Sequence, residues 1–119
     1  MAAPNILNVT SIFGRTAHLN LTTSSQAVVT NAANSNKVFK INSIIVANVD
    51  GSAAADVTVN FSNAGTIFAL SSTISVPADS TLVVLDKASS IYLEENDAIN
   101  ALASANGDLV IHISYEEIA

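Results

Sequence analysis

The feature that most limits how this chain can fold is a period of two in its apolar residues. Val57, Val59 and Phe61 alternate with Asp56, Thr58 and Asn60, and Leu109, Ile111, Ile113 and Tyr115 alternate with Val110, His112, Ser114 and Glu116. Successive side chains of a strand point to opposite faces, so this pattern suits a sheet buried on one side. β-branched residues favour the same state, and Val, Ile and Thr make up 33 of the 119 residues. A helical stripe does not persist beyond two turns. Its best stretch, residues 97–105 (DAINALASA), lies between strand-like runs and a turn at Asn106-Gly107-Asp108, and it reads as a strand.

Turn signals recur at short intervals: Phe13-Gly14, Asn34-Ser35-Asn36, Asp50-Gly51-Ser52, Ser62-Asn63-Ala64-Gly65, Pro77-Ala78-Asp79-Ser80, Asp86 to Ser90, Glu95-Asn96-Asp97 and Asn106-Gly107-Asp108. They predict strands at about 5–12, 17–22, 26–30, 37–49, 54–62, 66–76, 81–85, 90–94, 97–104 and 108–117. Eight to ten short strands without crossover helices predict an all-β fold, an antiparallel β-sandwich of jelly-roll type. One domain spans residues 1–119, which is too short for a second core. Residues 1–20 mix apolar side chains with Asn and Thr, and read as an ordered first strand or an extended N-terminal arm.

Several strands are apolar on both faces. In 37–49, strict alternation puts Phe39, Ile41, Ile45 and Val49 on one side and Val38, Ile44 and Val46 on the other, while Leu82 to Leu85 form an unbroken run. A two-layer sandwich buries one face of each sheet, so a second cover is expected from a neighbouring subunit. The expected interface residues are therefore Val38, Ile44, Val46, Val83 and Leu85. On that reading Ile44→Asp or Val46→Asp should impair assembly more than folding.

Composition points the same way. Half the residues are hydrophobic and only 12% are charged, about half the usual share. Polarity comes from 24 Ser and Thr and 13 Asn, a surface that is wettable but poorly defended against association. With 4 Lys and Arg against 10 Asp and Glu and a net charge of −6, no basic surface for nucleic acid or an anionic membrane is expected. The longest apolar runs are too short to span a bilayer, and Met1 to Asn5 lack the layout of a secretory signal. Without cysteine there are no disulfides, thiolate metal sites or thiol nucleophiles.

Chemistry-bearing residues are sparse. His18 and His112 are the two histidines; each reads as a surface or interface imidazole, and no nucleophile elbow singles out a serine for them to activate. Glu94, Glu95 and Asp97 share one turn and Asp50 and Asp56 flank another, but the spacing D-G-S-A-A-A-D does not supply the alternating oxygens of a Ca²⁺ loop. The six aromatic residues sit mostly at core positions of strands, leaving Tyr92 and Tyr115 as the pair with a polar handle for a sugar. The reading is non-enzymatic, with no cofactor and no metal.

The phrases NILNVTSIFGRTA, KVFKINSIIVANVDGSAAADVTVNF and PADSTLVVLDKASSIYLEENDAINALASANGDLVIHISYEEI resemble small virion structural proteins of tailed bacteriophages, cyanophages in particular. Leu93-Glu94-Glu95-Asn96-Asp97-Ala98-Ile99 is similar to a Leu-x-x-Gly-Asp-x-Ile segment of phage β-sandwich proteins, with Asn96 in place of the glycine. The resemblance implies a particle component made in the host cytoplasm and located in the virion. Capsid decoration or cementing is the first expectation, and a tail, neck or fibre component the alternative. The partners implied are copies of the chain, as a homo-oligomer such as a trimer, and other virion proteins such as the major capsid protein. From a different class, a carbohydrate- or receptor-binding module stays open.

Overall fold

The computed structural model describes residues 5–119, so the part of the expected arm at residues 1–4 lies outside them. Nine strands follow in order: β1 (Ile12–Asn20), β2 (Gln26–Thr30), β3 (Val38–Asn48), β4 (Ala55–Asn63), β5 (Thr66–Val76), β6 (Thr81–Leu85), β7 (Ile91–Leu93), β8 (Asp97–Ala103) and β9 (Leu109–Ile118). One sheet, here sheet A, has the order β1-β9-β3-β6, with β7 also on β3; the other, sheet B, has the order β2-β8-β4-β5. All pairs are antiparallel. The two sheets make the expected β-sandwich.

The path of the chain is that of a jelly roll. β6 pairs with residues 44–47 of β3 and β7 with residues 39–41, so together they form one interrupted edge strand. The break is a single 3-10 turn, Lys87–Ser89, capped by Asp86, whose side chain accepts from the Ser89 amide. Counting them as one strand, the pairs β1·β9, β2·β8, β3·β6/β7 and β4·β5 nest like the two arms of a long hairpin rolled over itself.

Local chemistry explains where strands stop. Ala64 and Gly65 close the β4–β5 hairpin with φ of 50° and 97°, the left-handed backbone that two-residue hairpin loops require. Asn96 has φ of 72°, the left-handed backbone that asparagine visits more readily than most residues. The first strand departs from expectation. Instead of two strands separated by a turn at Phe13-Gly14, β1 is one strand running straight through Gly14, which pairs with Glu116. A Cβ at Gly14 would meet no atom within 4 Å, so this glycine marks neither a turn nor a close approach.

The core lies between the sheets. Ile41, Ile44 and Val46 of β3, with Ile111 and Ile113 of β9, face Val57 and Val59 of β4 and Ile99 and Ala101 of β8, all fully buried. Two buried asparagines tie the layers at opposite ends. Asn31 donates to the carbonyls of Lys37 (2.8 Å) and Leu93 (3.0 Å) and accepts from the Ser35 hydroxyl. Asn48 donates to the carbonyls of Ala53 (3.0 Å) and Val76 (2.9 Å) and accepts from the Asp50 amide. Each satisfies one loop carbonyl and one carbonyl at a strand end that burial would otherwise leave orphaned.

Candidate interaction surface

Register assigns every strand residue to a face. On the outer face of sheet A, one row crosses four strands as His18, His112, Ile45 and Val83. The rows beside it are Asn20, Val110, Ala47 and Thr81 on one side, and Thr16, Ser114 and Ser43 on the other. None of these carries Asp, Glu, Lys or Arg. Charge returns at one end, where Lys40, Glu116 and Tyr92 stand together across β3, β9 and β7. The outer face of sheet B has the same texture. Thr30, Ala98, Ser62 and Ile67 form one row and Ala27, Asn100, Asn60 and Ala69 the next, with Asp56 at the far end. The central rows of both broad faces therefore carry no ionised carboxylate, lysine or arginine, and charge is confined to their ends.

The lateral edges differ from the faces. Phe68 lies opposite Phe61, and Ile74 opposite Val57, on the side of sheet B that looks towards the core. They are nevertheless 55% and 44% exposed, because the other layer does not reach over β5. Ile67 on the outer face and Leu70 at a bulge are exposed too, leaving β5 bare on both sides and along its free edge. Two irregularities in its pairing, one of them at Thr73 with φ of 53°, interrupt the ladder that an added strand would need. β1 shows the counterpart. Phe13 and Arg15 share the inward face with Ala17 and Leu19 yet are half exposed.

An ionic cluster sits at that β1 edge. Glu117 accepts from Arg15 Nε at 2.6 Å and from Lys37 Nζ at 3.2 Å, and the Arg15 guanidinium lies over the Phe13 ring. Beside it Tyr115 packs on Phe39 with ring centroids 5.4 Å apart. Its hydroxyl is pushed above the usual tyrosine range, first by burial and then by the Glu117 charge, with Arg15 opposing.

Four of the five expected interface residues are not available to a neighbour. Ile44, Val46 and Leu85 lie in the core cluster, and Val38 is buried on the outer face of sheet A. For Ile44 and Val46 the reason is a bulge. Ile41 pairs with Tyr115 but Ser43 pairs with Ser114, so Asn42 is an extra residue that reverses the alternation of β3 beyond it. Ile44 and Val46 thereby join Ile41 inside, while Ile45 and Val49 move outside. A second bulge at Val84 splits the Leu82 to Leu85 run, sending Leu85 inward opposite Ile44 and leaving Val83 outward at 57% exposure.

The remaining candidates have local roles. The Asp97 carboxylate accepts from the Glu94 amide (3.0 Å) and that of Glu95 from the Asn36 amide (3.0 Å), each holding a turn. Asp50 accepts from the Ser52 amide (2.9 Å), which keeps its carboxyl below the usual range. Tyr92 is exposed, whereas Tyr115 is packed on Phe39, so the two form no joint platform. Among the described residues no three His, Asp or Glu side chains gather as a metal cluster, and no helix is long and apolar enough to cross a membrane. What the spacing of His18 and His112 did not reveal is that register places them directly opposite one another. No protein-family model matches the chain, and no curated protein matches it.

Proposed function

We propose that this chain is a non-enzymatic structural protein of a phage virion, which associates with copies of itself and coats the capsid as a decoration or cement protein. The observation that carries this reading is the placement of charge. Interspersed ions normally keep small proteins apart in water, but here both broad faces lack them over their central rows, and apolar side chains are bare along β5. Surfaces of that kind suit burial against neighbours, and closed symmetric assemblies repeat one modest contact over many copies.

The partners that follow are further chains of this protein, as a homo-oligomer such as a trimer, and other virion proteins such as the major capsid protein. The phrase-level resemblance to cyanophage virion proteins supports the same location. No cofactor enters the reading. A tail, neck or fibre component would use the same contacts in a ring.

Electron cryo-microscopy of intact particles tests the proposal. Density for this sandwich over the icosahedral shell is the expected result. Density confined to the tail would overturn the decoration role in favour of the alternative, and a chain absent from purified particles would overturn the virion assignment itself.

A further inference from the structure

We propose that His18 and His112 form a bidentate site for a late first-row divalent metal ion, Ni²⁺ or Zn²⁺ in kind, on the outer face of sheet A. The two residues are direct partners on β1 and β9, so the backbone ladder holds their Cβ atoms side by side without help from side-chain contacts. Their ring centroids are 6.0 Å apart, with the planes inclined by 37°. Two imidazoles on one tetrahedral ion, at Zn–N distances of about 2.0–2.1 Å, place their centroids roughly 5 Å apart. Ligation therefore requires the rings to turn towards each other by about 1 Å, and His18 is exposed while His112 is partly covered.

The surroundings select the class of ion. Thr16 and Asn20 on β1, Val110 and Ser114 on β9 and Ile45 on β3 flank the pair, and none is charged. A hard ion such as Ca²⁺ or Mg²⁺, which needs a shell of oxygens and anionic ligands, has nothing to hold it here. Neutral imidazole suits the borderline ions of the Irving–Williams series. Two protein ligands leave the other coordination positions open to water, or to donors from a second molecule. The site stands independently of the proposed virion role.

The test is calorimetric titration of the tag-free full chain with NiCl₂ and with ZnCl₂ at neutral pH, comparing His18→Asn, His112→Asn and Asn20→Ala. Saturable binding at one ion per chain is expected, weakened at least tenfold by either histidine change and untouched by the third. Binding should also weaken as the pH falls, because each ligand must be neutral, and the metal should raise Tm only where both histidines are present. Half an ion per chain with a doubled mass supports the same pair, since two chains then give four imidazoles to one ion. Absence of saturable binding, or a histidine variant that binds as tightly as the unaltered chain, would overturn the proposal; circular dichroism of each variant separates that result from loss of fold.

Discussion

β3 and β5 are both eleven residues long and both carry many apolar side chains, yet they live in different environments. β3 reads VFKINSIIVAN, lies inside its sheet with partners on either side, and buries Ile41, Ile44 and Val46 completely. β5 reads TIFALSSTISV, lies at the edge of the other sheet, and leaves Ile67, Phe68, Leu70 and Ile74 exposed. Hydrophobicity is similar; position in the sheet decides. The strand that looked too greasy for a lone subunit is the one the subunit seals, and the strand left uncovered is one with ordinary serine and threonine spacing.

The sharpest way to break that comparison is a charge in β3. Ile44→Asp or Val46→Asp places a carboxylate where no water or cation reaches, and should cost more than about 4 kcal/mol, enough to unfold a domain of this size. This reverses the expectation that such changes impair assembly more than folding. Far-ultraviolet circular dichroism and the solubility of the expressed chain read the outcome; a folded, stable variant would show that β3 is not sealed.

Next in size is Asn31→Ala, which removes the donor to the Lys37 and Leu93 carbonyls and the acceptor for Ser35. Loss of about 1–3 kcal/mol is expected from leaving those groups buried and unpaired, measured as a lower urea midpoint with an unchanged slope. A negligible shift would mean that water takes over these bonds and that the asparagine is not a tie between the layers.

On β5 the prediction inverts. Phe68→Asp combined with Ile74→Asp should cost the single chain far less than the β3 changes, about 1–2 kcal/mol, because both side chains are already about half exposed. It should nonetheless lower the self-association seen by light scattering. Unfolding of this variant would move β5 into the same category as β3.

The smallest effect belongs to Tyr115. Its hydroxyl titrates above the ordinary value of 10.0 in the folded chain, mainly through burial. The stability this gives is therefore fully present below pH 10 and is lost as the pH rises through 10 towards the folded value. Tyr115→Phe should flatten the fall in Tm over that alkaline range and leave neutral pH almost unchanged. An unaltered alkaline profile would place the phenol in freer water than its packing on Phe39 suggests.

Much of the fold was readable before any coordinates because it rests on local rules. β2, β5 and β6 begin and end where the turn residues predict, and alternation in β4, β8 and β9 gives their buried faces directly. Bulges were not readable. Asn42 is a poor strand former and Val84 a good one, so residue type marks no common signal, and only pairing with β9 and β3 shows that each is one residue too many. Since one inserted residue exchanges the faces of everything beyond it, Ile44, Val46 and Leu85 turn into the core, while Val38, ahead of the Asn42 bulge, keeps its outer face and is buried there. The histidine pair was hidden for a related reason: 94 residues separate its members, and only the β1·β9 register brings them together.

Uncovered, uncharged surface on this chain calls for neighbours. Sedimentation equilibrium of the tag-free chain, over a wide concentration range at physiological salt, tests this most directly. A mass that rises with concentration above the 12.3 kDa of one chain, and returns to it in the Phe68→Asp, Ile74→Asp variant, is the predicted result. A single 12.3 kDa species at every concentration would contradict it.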